Sequence, residues 1–221
     1  IDIDMCSQAY LKYLHKLVDE GKVSEETINT MCRRVLEAKW ELGLFEDANR
    51  GHSEKEVTTA VRKKEFIDLA RQLAGESIVL LKNEGNVLPL KKQGKIAVIG
   101  PLGKSGRNLY GCWTGNGSSQ PALGIYDAIK EAVGNNGEVV YARGSNVFAN
   151  PDWEAAGQIK NFDVGRDSRS AEDMIKEAVE VAKNSDVVIA TLGELTDMTG
   201  ESQSRADLEM PDVQRDLFKA L

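Results

Sequence analysis

The chain has 221 residues, 41% apolar and 29% charged, an ordinary composition for a globular protein and enough for one large domain or parts of two. Its 35 acidic and 28 basic side chains leave a net charge of −7, which argues against a nucleic-acid partner, because a phosphate backbone favours a basic face. No apolar run is long enough to span a bilayer, so no membrane segment is expected, and Ile1-Asp2-Ile3-Asp4 lacks the basic start and apolar core of a secretory signal. Cys6, Cys32 and Cys112 are scattered, with only His15 and His52 beside them. Zinc sites draw their ligands from closely spaced pairs. No metal is expected here, and the cysteines are expected to be unpaired, mostly buried thiols.

Two helices open the chain. Tyr10, Leu14, Leu17 and Val18 fall on one face, and Gly21 sits where a left-handed cap would end the run. Ser24 suits the cap of a second helix, with Glu25 and Glu26 at the positive end of its dipole. Ile28, Met31, Cys32, Val35 and Leu36 form its apolar stripe, and Gly43 stops it. These faces must pack on something that their own sequence does not supply. Residues 46–53 have the polar, aperiodic composition of a linker. Ser53 and Glu56 then have capping-box spacing, which predicts a helix through about Ala74.

From there strands and helices alternate. Apolar strands are predicted at 78–81, 96–99, 139–141 and 187–192, and helices at 121–133 and 170–184. Pro211 is predicted at the first position of a last helix. This alternation indicates an α/β domain with a mostly parallel sheet covered on both faces. The chain stops at Leu221 at the end of a helix, where another strand would normally follow. The second domain is therefore expected to be incomplete at its C-terminus, and the first to be the tail of something larger.

Two loops carry the chemistry-bearing residues. The first, after the strand at 96–99, begins Gly100-Pro101-Leu102-Gly103-Lys104-Ser105-Gly106, and Gly103-Lys104-Ser105 matches the end of a phosphate-binding loop. The full motif needs a glycine five residues earlier, where Val98 stands, so the match fails and a flexible loop is the plainer reading. The loop runs on through Tyr110-Gly111-Cys112-Trp113-Thr114-Gly115-Asn116-Gly117. Trp113 and Tyr110 either stack on the apolar face of a sugar ring or anchor the loop by tucking Trp113 onto the domain. The second loop, at 192–211, leaves the last strand and carries Glu194, Asp197, Glu201, Asp207 and Glu209 around Arg205. Such a cluster is either a run of solvated charges or the surroundings of a general acid.

The second loop, with Gly193-Glu194, then Thr199-Gly200-Glu201-Ser202-Gln203-Ser204-Arg205 and Met210-Pro211, resembles the β-glucosidase and β-xylosidase branch of family 3 glycoside hydrolases. Other blocks follow in the family's order. Ile1-Asp2-Ile3-Asp4-Met5 resembles a late barrel block, and Leu42-Gly43-Leu44-Phe45 the barrel exit. Residues 74–83, Leu88-Pro89-Leu90, Lys95-Ile96-Ala97-Val98-Ile99-Gly100-Pro101 and Gly111-Cys112-Trp113 resemble the family's second domain.

The resemblance implies terminal helices of a (β/α)8-type barrel at 1–45, a linker and connecting helix at 46–72, and an incomplete α/β sandwich at 73–221. It implies a retaining enzyme acting on terminal β-linked sugars, with no cofactor and a carbohydrate as its partner. The nucleophilic Asp would lie upstream of Ile1 on the barrel portion missing here, and Asp2 and Asp4 match a later block. Retaining hydrolysis needs two carboxyl groups roughly 5–5.5 Å apart. Glu201 is the first choice for the acid/base by its match to the family motif, and Glu194 is the alternative. Arg205 is expected to pair with the loop's carboxylates rather than touch sugar. A periplasmic or secreted location follows from the resemblance alone. A non-catalytic carbohydrate-binding module and a nucleotide-binding domain are the competing readings.

Overall fold

The computed structural model describes residues 1–61, 63–114, 122–150, 164–201 and 203–221. Pro121 at the start of the expected helix 121–133, the Gly115-Asn116-Gly117 end of the first loop, Ser202 and the side chain of Asp197 lie outside the described residues. The chain divides into two compact units, Ile1–Lys82 and Asn83–Leu221. No described helix is long and apolar enough to cross a membrane.

The first unit is helical. A π-helical turn, Tyr10–Leu14, runs into α1 (His15–Asp19), and Gly21 closes it at φ +68° with its N–H on the Val18 carbonyl. Ser24 caps α2 (Glu25–Glu41) by accepting from the Thr27 N–H at 3.2 Å. The Ser53/Glu56 capping box is present, but the helix predicted from it is two: α3 (Glu54–Ala60) and α4 (Lys64–Ser77). The break falls at Val61, whose ψ of 136° is extended. None of the described residues of this unit is buried, and Trp40, Phe45, Phe66 and Leu73 are all exposed.

The segment Ile78–Leu81, predicted as a strand, pairs with none of the described strands, and Leu81 is 91% exposed. Apolar, β-branched composition favours an extended backbone, but a strand also needs a neighbour for its amides.

The second unit carries a three-stranded parallel sheet in the order β2-β1-β3, formed by β1 (Gly94–Ile99), β2 (Gly137–Ala142) and β3 (Val187–Ala190). Ile96, Ala97, Val98 and Ile99 are all buried, as a central strand covered on both faces requires. On one face Ala97, Ile99 and Ala142 pack with Ala178 of α6 (Ala171–Lys183) and Leu217 of α7 (Asp212–Ala220). On the other, Tyr141 lies opposite Val98 and meets Tyr126 of α5 (Ile125–Val133) edge-on, with ring centres 5.8 Å apart. Pro211 stands one residue outside α7, as its N-cap, a shift of the size usual at helix ends. The three cysteines are free as expected but exposed, not buried. Cys6 and Cys32 belong to the unit without buried residues, and Cys112 rides on a surface loop.

Candidate active site

Both chemistry-bearing loops leave the carboxyl edge of the sheet, where open α/β folds hold their ligands. They diverge from one close crossing. The Thr191 N–H donates to the Ile99 carbonyl at 2.7 Å, and a Cβ on Gly100 would lie 2.2 Å from the Thr191 carbonyl oxygen. Gly100 also holds φ +138°, so a side chain there is excluded twice over.

The second loop is fixed at its start by burial. Leu195 precedes a short 3₁₀ turn, Thr196–Met198, and it and Met198 are buried with Val147 and Val164. Each such side chain contributes about 1.5–3 kcal/mol when fully removed from water. The side chain of Gln214, fully buried in the first turn of α7, holds Gly193 at the start of the loop by both backbone groups. It accepts from the Gly193 N–H and donates to the Gly193 carbonyl, each at 2.9 Å, and donates to the Val147 carbonyl at 3.2 Å.

The loop's base is clasped by Arg205. Its guanidinium is ion-paired with Glu194 and donates to the Glu209 carbonyl at 2.6 Å. The expected pairing of Arg205 with a loop carboxylate is present. It occupies one of the two candidate acid/base residues.

Glu201 stands beyond this clasp. It is exposed, and among the described residues it makes no ion pair. The preceding Gly200, at φ +100°, lies against the first loop: a Cβ there would come 2.8 Å from the Cys112 sulfur and 3.9 Å from Trp113 Nε1. Thr199 Oγ1 lies 3.9 Å from the same sulfur. Trp113 is 73% exposed, so its indole does not tuck onto the domain. Tyr110, at the end of the 3₁₀ turn Arg107–Tyr110, is half-buried. The fold thus sets an exposed indole beside the residue that precedes Glu201.

Comparison with known proteins gives the family. Residues 78–221 match the model of the glycosyl hydrolase family 3 C-terminal domain. The chain belongs to glycosyl hydrolase family 3. It is 38% identical to the periplasmic beta-glucosidase of Salmonella typhimurium over 224 aligned positions, covering 100% of this chain and 29% of that protein. A beta-xylosidase of Formosa agariphila is 32% identical, over 88% of this chain and 25% of its own length. The crystal structure of a Listeria innocua beta-glucosidase in complex with glucose superposes with a TM-score of 0.78 at 30% identity, over 100% of this chain and 27% of that one. The chain thus spans between a quarter and a third of the length of these relatives.

In this family 3 chain the phosphate-loop lookalike has another use. The ammonium of Lys104 lies over the rings of Tyr126 and Tyr141, at 4.8 and 4.6 Å from their centres, and Ser105 is buried beneath the turn. The lysine is held by aromatic faces, and the turn that a flexible reading expected is packed. A cleft of 340 Å³ opens beside the end of β2, but its charges are matched. Arg143 donates to the carbonyls of Ser145 (3.2 Å), Val164 (2.7 Å) and Gly165, and Arg169 pairs with Asp167 and Glu177, each at 2.7 Å.

The Arg169 hydrogen bonds pull the Asp167 carboxyl down from 3.8 to about 2. A depressed carboxyl stabilises the fold fully above its unfolded value and loses that contribution as pH falls through the folded one. Asp167→Asn keeps the backbone hydrogen bonds of residue 167 to Asn146. Its stability is expected to fall less steeply than wild type between about pH 4 and 2, measured by urea unfolding across that range. Equal slopes would refute the assignment.

Sequence reading missed Gln214, Asn108, Leu195 and Met198. Leu195 and Met198 had a signal, two apolar residues three apart in an acidic loop. The two amides had none, because their partners lie 21 and 88 positions away in the chain.

Proposed function

We propose that this chain is part of a retaining β-glycosidase that removes terminal β-linked glycosyl residues, β-glucosides foremost. It supplies the general acid/base Glu201, and the nucleophilic carboxylate comes from a barrel portion outside these 221 residues. The observation that carries the reading is the unequal engagement of the two candidate carboxylates. A guanidinium only donates, so the Glu194 oxygen facing Arg205 accepts and is not offered to a leaving group. Glu201 is exposed and follows Gly200, which lies against Cys112 and Trp113; the open face of Trp113 suits stacking on a sugar ring, and the half-buried Tyr110 on the same loop is the second candidate for such a contact.

Residues 1–45 are assigned to the end of the barrel, 46–72 to the connection and 73–221 to the sandwich domain. The exposed apolar faces of α2 and α4 and of the segment Ile78–Leu81 support this, since contiguous exposed apolar surface marks a missing partner. The periplasmic beta-glucosidase among the relatives supports a periplasmic or secreted location.

The deciding experiment uses the full-length protein with aryl β-glucosides and β-xylosides and follows the first-formed sugar by NMR. Release of the β-anomer is expected. A first-formed α-anomer would overturn the retaining assignment, and absence of turnover would overturn the glycosidase reading.

A further inference from the structure

We propose that Asn108 is a positioning residue for the acid/base step, holding the Glu201 loop in register with the loop that presents Trp113. The inference rests on the reading of Glu201 given above.

Asn108 lies in the turn Arg107–Tyr110 of the first loop and binds one residue of the second at two points. Its Oδ1 accepts from the Thr196 N–H at 2.8 Å, and its main-chain carbonyl accepts from Thr196 Oγ1 at 3.2 Å. Two bonds to one residue fix orientation as well as distance, where one would leave a pivot. The amide is itself oriented, because Nδ2 donates to Ser105 Oγ at 2.6 Å and Ser105 is only 4% exposed. From Thr196 the restraint passes to Glu201 in short steps. Leu195 and Met198 on either side are buried, and Thr199 Oγ1 donates to the Thr196 carbonyl at 3.2 Å. Gln203 N–H donates to the Gly200 carbonyl at 3.3 Å, closing the turn around Glu201. Asn108 thus joins the two loops before they reach their functional ends.

A group that places a general acid leaves a signature that a merely structural group does not. Protonation assists departure of a basic alkoxide and matters little for a leaving group that is already a stable anion. In the full-length protein, kcat/KM reports glycosyl transfer from substrate to enzyme. Asn108→Leu, similar in size but without polar atoms, is expected to lower kcat/KM for an alkyl β-glucoside by about tenfold to a hundredfold. It should change kcat/KM for 2,4-dinitrophenyl β-glucoside little. Asn108→Asp keeps the acceptor for the Thr196 N–H and can accept from Ser105 Oγ, so it is expected to restore most of the loss.

Equal losses on both substrates, or an Asn108→Asp variant as impaired as Asn108→Leu, would overturn the proposal. If Asn108→Leu does not fold, Thr196→Val, which removes one of the two bonds, must show the same leaving-group selectivity in weaker form, and its absence counts against Asn108. Glu201→Gln run in parallel separates the two readings. If it lacks the leaving-group selectivity, the acid/base reading fails and this inference with it. If it shows the selectivity and Asn108→Leu does not, this inference alone fails.

Discussion

Glu201→Ala in the full-length protein is expected to lower kcat/KM for an alkyl β-glucoside about 10²- to 10⁴-fold while leaving a dinitrophenyl β-glucoside nearly unchanged. Departure of an alkoxide needs a proton delivered to the glycosidic oxygen as the bond breaks, and a dinitrophenolate does not. The second step tells the same story from the other side. Hydrolysis of the glycosyl-enzyme needs a base to take a proton from water, so kcat on the activated substrate falls in the variant. Azide, an anion with no proton to lose, should restore that kcat and give the glycosyl azide of retained configuration.

Glu194→Gln predicts a different pattern. It weakens the pairing with Arg205, which also holds the Glu209 carbonyl, and so loosens the base of the loop. Both substrates should then suffer alike, with no rescue by azide. Should the two variants exchange behaviour, Glu194 is the acid/base and the argument from its ion pair is wrong.

The 221-residue chain by itself is expected to hydrolyse an aryl β-glucoside at a rate lower than the full-length protein by a factor on the order of a million or more. Retaining hydrolysis needs a nucleophile as well as an acid, and the acidic residues nearest the start of the chain are otherwise employed. Asp4 accepts from Ser7 Oγ at 2.5 Å and from the Tyr10 N–H at 3.1 Å, bonds that hold its carboxyl below the usual carboxylate range and start the first helix. Asp2 pairs with Arg34 of α2 at 3.0 Å. These are structural uses. Turnover by the isolated chain near that of the full-length protein would refute the assignment of the nucleophile to a region outside it. Mixing the chain with the remainder of the protein and recovering activity would support it.

Much of the fold was legible because its signals are local. Ser24 and Ser53 each cap the helix that follows them, as their spacing predicted, a pairing of a hydroxyl with an amide three residues on that needs no distant partner. The central strand was readable from Ile96-Ala97-Val98-Ile99, since a strand covered on both faces is apolar without alternation. Val187-Val188-Ile189-Ala190, equally apolar, forms the edge strand β3, where Val188 and Ala190 are exposed. Ile78-Val79-Leu80-Leu81 has the same composition and forms no strand among the described residues. What separates these segments is a partner, and a partner is a property of the fold.

The same division applies to the loop around Glu201. The sequence by itself determined that a carboxylate-rich loop leaves the last strand, that Glu194 and Glu201 were its two candidates and that Arg205 would engage one of them. The match to the family motif put Glu201 first and Glu194 second, but nothing in the local chemistry separated them. Only the tertiary structure shows that the guanidinium of Arg205 lies on Glu194, that Gly200 lies against Cys112 near Trp113, and that Asn108 and Gln214 fasten the loop from two sides, the contacts on which the proposal for Glu201 rests. Residue types and their short-range spacing fix which groups a loop carries. Which of them is left exposed for chemistry is decided by contacts between segments far apart in the chain, and those exist only once the sheet has brought the segments together.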